Sequence, residues 1–244
     1  MSRAPVVYTC DDHSSVYAHL RAGSARGLSV THLDAHCDLK GTLIDRSAGR
    51  AWLRRQDLPV SASTYLSHLV AQGIVGDLTW IHDEIGGRRI DLGTVLYTSD
   101  LDRVAYRLVR SPGGPGVALT YDEGAYDAWR HRDTGRILDI DWDFFADFRK
   151  SERRASAELD ALLNEKLEAV PHCTYVAYSS HYSRPSREGY ESFVVRLAQR
   201  LSARVEAISE APLQPSGGFA RALPPGLRRF LKTGALRAKR VWFR

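Results

Sequence analysis

Three short segments of the 244-residue chain concentrate the side chains that hold divalent metals. THLDAHCDL, residues 31–39, sets Asp34, His36 and Asp38 at alternate positions behind the apolar pattern of GLSV. RILDIDWDFF, residues 136–145, sets Asp139, Asp141 and Asp143 in the same way, and CDDHSS, residues 10–15, brings His13. Alternate residues of a strand share a face, so each triplet is expected to converge its ligands on one side. Burying that many carboxylates costs several kcal/mol per ion unless cations compensate. Oxygen-rich ligands with one or two imidazoles and no thiolate obligation suit Mn²⁺ or a similar divalent ion better than structural zinc. The set exceeds what one ion needs, which points to a two-metal site with ions roughly 3.5 to 4 Å apart and to hydrolytic chemistry. An isolated DxD also occurs where an acidic pair merely caps a helix or meets solvent; the co-occurrence of DxHxD, DxDxD and an upstream His carries the reading.

The elements that must position these residues alternate between strand and helix. PVVYTC reads as a strand, SSVYAHLRAG as a short helix, GLSVTHLD as a second strand, residues 63–73 as a helix and DLTWIHDE as a strand. GTVLYTSD and GVALTYDE have strand character and are separated by the turn-rich SPGGPG. RILDIDWDFF is a strong strand and CTYVAYSS a buried one. Leu159, Leu162, Leu163, Leu167 and Val170 fall at helical spacing, as do Tyr190, Phe193, Val194, Leu197 and Leu201. Residues 206–220 read as a linker. The alternation predicts an α/β fold with a mainly parallel sheet and helices on its faces. Ligands bind such a sheet at the carboxyl ends of its strands, where all three segments place their His and Asp residues.

The chain as a whole is that of a globular domain, with 43% apolar and 26% charged residues. The start, MSRAPVVYTCDDHSS, lacks the apolar core of a signal peptide. No stretch approaches the roughly 18 apolar residues of a spanning helix, so stable membrane insertion is not expected. Cys10, Cys37 and Cys173 are odd in number and far apart, which suits a reducing cytoplasm. The net charge of +5 comes from residues 221–244, which carry eight Lys/Arg and no acid. The expected organisation is a single domain over 1–220 and a basic C-terminal tail over 221–244. Such a tail attracts an acidic partner, an anionic surface or nucleic acid, or is simply a solvated terminus; no nucleic-acid partner is expected.

THLDAHCDL resembles the DAHxD motif of the arginase/deacetylase (ureohydrolase) superfamily, LDIDWDFF resembles its second Asp-x-Asp motif, and CDDHSS resembles its GGDHS motif without the glycines. The early His, the DxDxDFF run and the short chain are similar to the small branch that includes peptide arginases. That resemblance implies a three-layer αβα fold, two Mn²⁺ ions with other divalent ions as substitutes, and conversion of arginine side chains in a ribosomally made precursor peptide to ornithine and urea. It implies that Asp34 bridges both ions, that His13 and Asp38 complete one, and that His36 sits on the other. Two aspartates of the second motif would ligate, either Asp141 and Asp143 with Asp139 as an acceptor behind them, or Asp139 and Asp141. Asp38 is expected among the catalytic residues, and His181 in VAYSSHYSRP as the proton source for the leaving amine. The glutamate that grips free arginine in the larger enzymes has Ser179, Ser180 and His181 in its place, and the polar residues that follow DAHxD there are absent from KGTLIDRSAG. A larger substrate, bound through its backbone, is the expectation. The alternatives are an agmatinase-like or deacetylase-like hydrolase of a small molecule, or a non-catalytic metal-stabilised peptide-binding protein; a homo-oligomer is compatible with each.

Other residues are given lesser expectations. His32 shares the ligands' strand and is read as a packed or supporting residue, and His68 as part of a helix face. His82, Asp83 and Glu84 lie at a strand end near the pocket. Glu84 and Glu123 are candidate replacements for the guanidinium-binding carboxylate, against a default of solvated loop residues. Cys37 is expected to point away from the ligands, and Trp52 and Trp142 to belong to a lid or the core.

Overall fold

In the computed structural model the described residues are 4–53, 58–83, 89–91, 95–98, 115–146, 150–179 and 187–208. All belong to one compact unit, Met1–Ala211; the tail expected over 221–244 lies outside the described residues.

The apolar runs found in the sequence form the centre of a seven-stranded sheet. Its strands are β1 (Val6–Cys10), β2 (Leu28–Leu33), β5 (Val75–His82), β9 (Thr120–Ala125), β10 (Ile137–Asp141), β11 (Thr174–Ala177) and β12 (Arg204–Ala207). They lie in the order β12-β1-β11-β10-β2-β5-β9, and every neighbouring pair is parallel. The central strand β10 is buried along its whole length, as a strand covered on both faces must be.

Helices cover the two faces, which gives the three-layer αβα architecture. On one face α1 (Ser14–Ala22) and α2 (Tyr65–Ala71) pack Val16, Tyr17, Leu20, Leu66 and Leu69 over Val30, Trp80 and Ile137. On the other, Phe144 and Phe145 of α3 (Asp143–Ala146) join α5 (Arg187–Leu201) over Leu33, Ile140 and Val176. The expected stripe of α5 is buried at Tyr190, Phe193, Val194, Leu197 and Leu201, each burial contributing about 1.5–3 kcal/mol. The alternation along β10 assigns faces: Ile137 belongs to the α1/α2 face and Leu138 to the other, so Asp139 and Asp141 face α1 and α2.

Several expectations need correction. The first helix after RILDIDWDFF, α4 (Glu152–Ala161), ends as an α-helix at Ala161, and Leu162–Lys166 continue as a π-helical turn, leaving Val170 exposed rather than on the stripe. Residues 206 and 207, read as the start of the linker, belong to the edge strand β12. GVALTYDE divides at Leu119 into two strands that enter different sheets. The first, β8 (Val117–Ala118), joins β3 (Thr42–Asp45), β4 (Arg50–Leu53), β6 (Arg89–Asp91) and β7 (Val95–Thr98) in a five-stranded antiparallel sheet. Its β3–β4 hairpin turns at Asp45, whose carboxylate accepts from Ser47 Oγ and the Ala48 N–H, and closes on Gly49 at φ +62°.

Both ligand-bearing strands also stop short. β2 ends at Leu33 and β10 at Asp141, so His36 and Asp38 lie on a loop and Asp143 opens α3. The period-two rule therefore applies to His32/Asp34 and Asp139/Asp141 and to none of the later ligands. What turns the chain back is a left-handed residue, Asp38 at φ +49°, and the immediate start of a helix at Asp143. Among the described residues, no helix is long and apolar enough to cross a membrane.

Candidate metal centre

His13 reaches the centre from the end of β1. The Asp12 carboxylate accepts the Ser14 N–H at 2.7 Å, turning the chain into α1 with His13 fully buried just before its first residue. Strand β11 lies between β1 and β10, with Ala177 in register with both Cys10 and Asp141 on the α1/α2 face. A methyl group at that point lets the His13 ring reach across to the aspartates.

Asp34 is the hub. Its backbone is held on both sides, the N–H donating to Ile81 O at 3.2 Å and the C=O accepting from Trp80 Nε1 at 3.0 Å. The two oxygens of its carboxylate face different imidazoles: Oδ2 lies 3.1 Å from His32 Nε2 and 3.8 Å from His13 Nδ1, and Oδ1 lies 3.6 Å from His36 Nδ1. Around His13 Nδ1 stand Asp141 Oδ2 at 3.1 Å and Asp38 Oδ2 at 3.5 Å. Around His36 Nδ1 stands Asp143 Oδ2 at 3.0 Å. Ser179, at φ +48°, donates its hydroxyl to Asp141 Oδ2 at 2.6 Å.

Ligand-type atoms thus converge in three groups that all include Asp34: His13/Asp34/Asp141, His32/Asp34/Asp38 and Asp34/His36/Asp143. Asp139 enters none of these groups among the described residues. Its Oδ2 accepts from the Tyr65 hydroxyl and lies 3.0 Å from His32 Nδ1, while its Oδ1 faces His13 Nε2 at 3.3 Å. The His36 side chain is 40% exposed, whereas those of His13, Asp34, Asp38, Asp141 and Asp143 are buried, so the centre opens on the His36 side.

The electrostatics are those of a crowded anionic pocket. Burial, then Asp34, pushes Asp38 up to about 7. Burial, then Asp141 and Asp34, lifts Asp143 well above the usual carboxylate range. Burial alone would depress His13 and His32, but Asp139 and Asp141 hold the first well above its ordinary value, and Asp34 and Asp139 push the second up to about 10. Burial opposes ionisation of Asp34 and Asp139 as well, yet His32 beside the one and His13 beside the other keep both well below the usual range.

The chemistry of these residues fits divalent metal. Both ring nitrogens of His13, Asp34 Oδ2, Asp139 Oδ1 and Asp143 Oδ1 are buried without a hydrogen-bond partner, an arrangement that costs about 1–3 kcal/mol per neutral group unless something else satisfies it. Carboxylate oxygens and imidazole nitrogens with no thiolate suit a hard or borderline divalent ion.

The remaining expectations fall as follows. His181 and Glu84 lie outside the described residues. Glu123 sits on β9 with its Oε2 4.0 Å from the His82 ring. Cys37 and Trp142 are buried in the core, and His68 lies on α2 with Nε2 2.9 Å from Leu58 O. Two residues have a larger place than their sequence context suggests. His32 touches Asp34, Asp139 and the His36 carbonyl at 3.1, 3.0 and 3.2 Å. Tyr65, whose only signal in STYLSHL is that of an apolar helix face, stacks on His13 with ring centroids 5.0 Å apart.

The chain thus presents a parallel sheet between two helical layers with a His/Asp pocket at its carboxyl edge. No protein-family model and no curated protein matches the sequence. In structure the chain is similar to proclavaminate amidino hydrolase from Streptomyces clavuligerus, at 15% identity and a TM-score of 0.43, over 82% of this chain and 65% of that one. The match thus spans a little under two thirds of that enzyme's length.

Proposed function

We propose that the protein is a binuclear-metal hydrolase that converts arginine side chains within a peptide to ornithine, releasing urea. The observation that carries this reading is Asp34: a single buried carboxylate with one oxygen toward His13 and the other toward His36, the disposition required of a ligand shared by two ions. His13, Asp38 and Asp141 would hold one ion with Asp34, and His36 and Asp143 the other. When bound, the pair supplies Lewis acidity and makes water nucleophilic at neutral pH.

The chain's own groups supply the rest. Asp38 would act beside the ion it helps to hold, its Oδ2 lying 3.5 Å from His13 Nδ1. Water adds to the guanidinium carbon, the bond from that carbon to the side-chain nitrogen breaks, and this nitrogen leaves as an amine after gaining a proton. His181 is the sequence's candidate donor for that proton. The opening on the His36 side is where a side chain carried by a larger molecule would enter. The motif resemblance, and the absence after Asp38 of the polar residues that bind free arginine in the larger enzymes, support a peptide over a free amino acid.

The test is incubation with Mn²⁺ and a panel of Arg-containing peptides, free arginine, agmatine and acetyl-lysine peptides, following peptide mass and urea. Turnover of peptidyl arginine with one urea per ornithine is expected. Turnover of agmatine or acetyl-lysine alone would move the activity to the small-molecule reading, and bound metal without any turnover to a binding protein. Asp34→Asn is expected to lose both ions together; retention of two per chain by elemental analysis would refute its role as hub.

A further inference from the structure

Behind the pocket stands a second arrangement, contributed by a helix rather than by a ligand-bearing strand. Tyr65 opens α2 and is fully buried. Its ring lies nearly parallel to that of His13, 19° between planes, and its hydroxyl donates to Asp139 Oδ2. The other oxygen of Asp139 faces His13 Nε2 at 3.3 Å, and these two atoms are both buried with no hydrogen-bond partner of their own. Each therefore has the other as its natural partner, and a small rotation of the imidazole closes the contact.

From this geometry we infer that Tyr65 and Asp139 are positioning residues for His13: Asp139 accepts a hydrogen bond from Nε2–H, and Tyr65 fixes Asp139 through its hydroxyl and the imidazole through its ring. The consequence is a choice of tautomer. With the proton kept on Nε2, the lone pair of Nδ1 is directed at Asp34, Asp38 and Asp141, where an ion would be held. A metal-bound imidazole ordinarily donates its other N–H to a carboxylate or carbonyl, and loss of such a partner typically costs ten- to a hundredfold in metal affinity. Asp139 thereby has a role separate from that of Asp141 and Asp143, although all three lie in one DxDxD run. His32 is a further donor to the same Asp139 oxygen, so removing the Tyr65 hydroxyl loosens Asp139 without leaving it unheld.

This inference rests on the two-ion reading, and the test separates the two. Tyr65→Phe keeps the ring and removes one hydroxyl. Calorimetric titration with Mn²⁺ should show one of the two ions bound about tenfold more weakly, with the other unchanged. With diamagnetic Zn²⁺ in place of Mn²⁺, the nitrogen-15 signal of His13 Nε2 should shift in Tyr65→Phe as its hydrogen bond to Asp139 loosens. Asp139→Asn should have the larger effect, and Asp139→Glu should restore part of the affinity. Wild-type protein that binds two ions while Tyr65→Phe binds them equally well and keeps its His13 spectrum overturns the inference alone. Wild-type protein that takes up no Mn²⁺ overturns the two-ion reading, and this inference with it.

Discussion

Asp38 combines two costs at a single residue: a left-handed backbone at φ +49° and a buried carboxyl beside Asp34. The backbone alone costs roughly 1–2 kcal/mol in an L-residue, less for Asp than for most. Such strain persists where surrounding structure enforces it, and it clusters at functional sites. The raised carboxyl sets a pH window. Its folded value of about 7 exceeds that of an unfolded aspartate, so the metal-free chain loses stability as pH rises from about 4 to about 7. Asp38→Asn keeps a side chain that tolerates the backbone and removes the charge. Metal-free Asp38→Asn should therefore melt above wild type at pH 8 and close to it at pH 4, while binding Mn²⁺ more weakly. Equal melting shifts at both pH values would show that the carboxyl is not perturbed as described.

At the scale of elements, two contacts hold the site's frame. Ala177 on β11 separates Cys10 from Asp141, and a longer side chain there would stand between His13 and the aspartates. Ala177→Leu should cost about 1–3 kcal/mol by overpacking and weaken Mn²⁺ binding, measured by urea unfolding and metal titration; wild-type affinity would show that His13 does not reach across at that point. Buried Lys150 ties the end of β5 to α3 and α4, pairing with Asp83 at 2.9 Å and Glu158 at 2.7 Å and donating to the Phe144 carbonyl. Lys150→Ala leaves two acids without that cation and should cost about 3–5 kcal/mol, read as a lowered unfolding midpoint. These elements also show what the sequence could and could not reveal. The strands around His13, Asp34 and Asp139 were legible because each is a near-continuous apolar run, and α5 because five buried residues keep one period. The ends of β2 and β10 were not, because the polar residues that follow alternate as a strand would; only the backbone shows that Asp38 and Asp143 arrive by a turn and a helix. Tyr65 was not legible as a site residue, because its partners are 52 and 74 positions away in the chain and nothing local marks it.

For the whole molecule, the pocket is a conflict of like charges that a cation would resolve. Without one, Asp38, Asp143, His13, His32 and His36 all hold protons above their ordinary values. Each such group contributes stability that is complete below its unfolded value and is lost as pH rises through its folded one. A bound metal would have to displace those protons, so its contribution to folding would grow with pH. Treatment with EDTA should lower the melting temperature more at pH 8 than at pH 6; an equal drop would argue against metal in this pocket. The strand order adds a consequence for the newly made chain. His13 and the Asp34 loop emerge early in synthesis, but β11, residues 174–177, must insert between β1 and β10 before His13 can meet Asp141. A fragment ending ahead of β11 can pair β2 with β10 but cannot bring His13 to Asp141. The part of the pocket that includes His13 would therefore be completed only with the finished sheet.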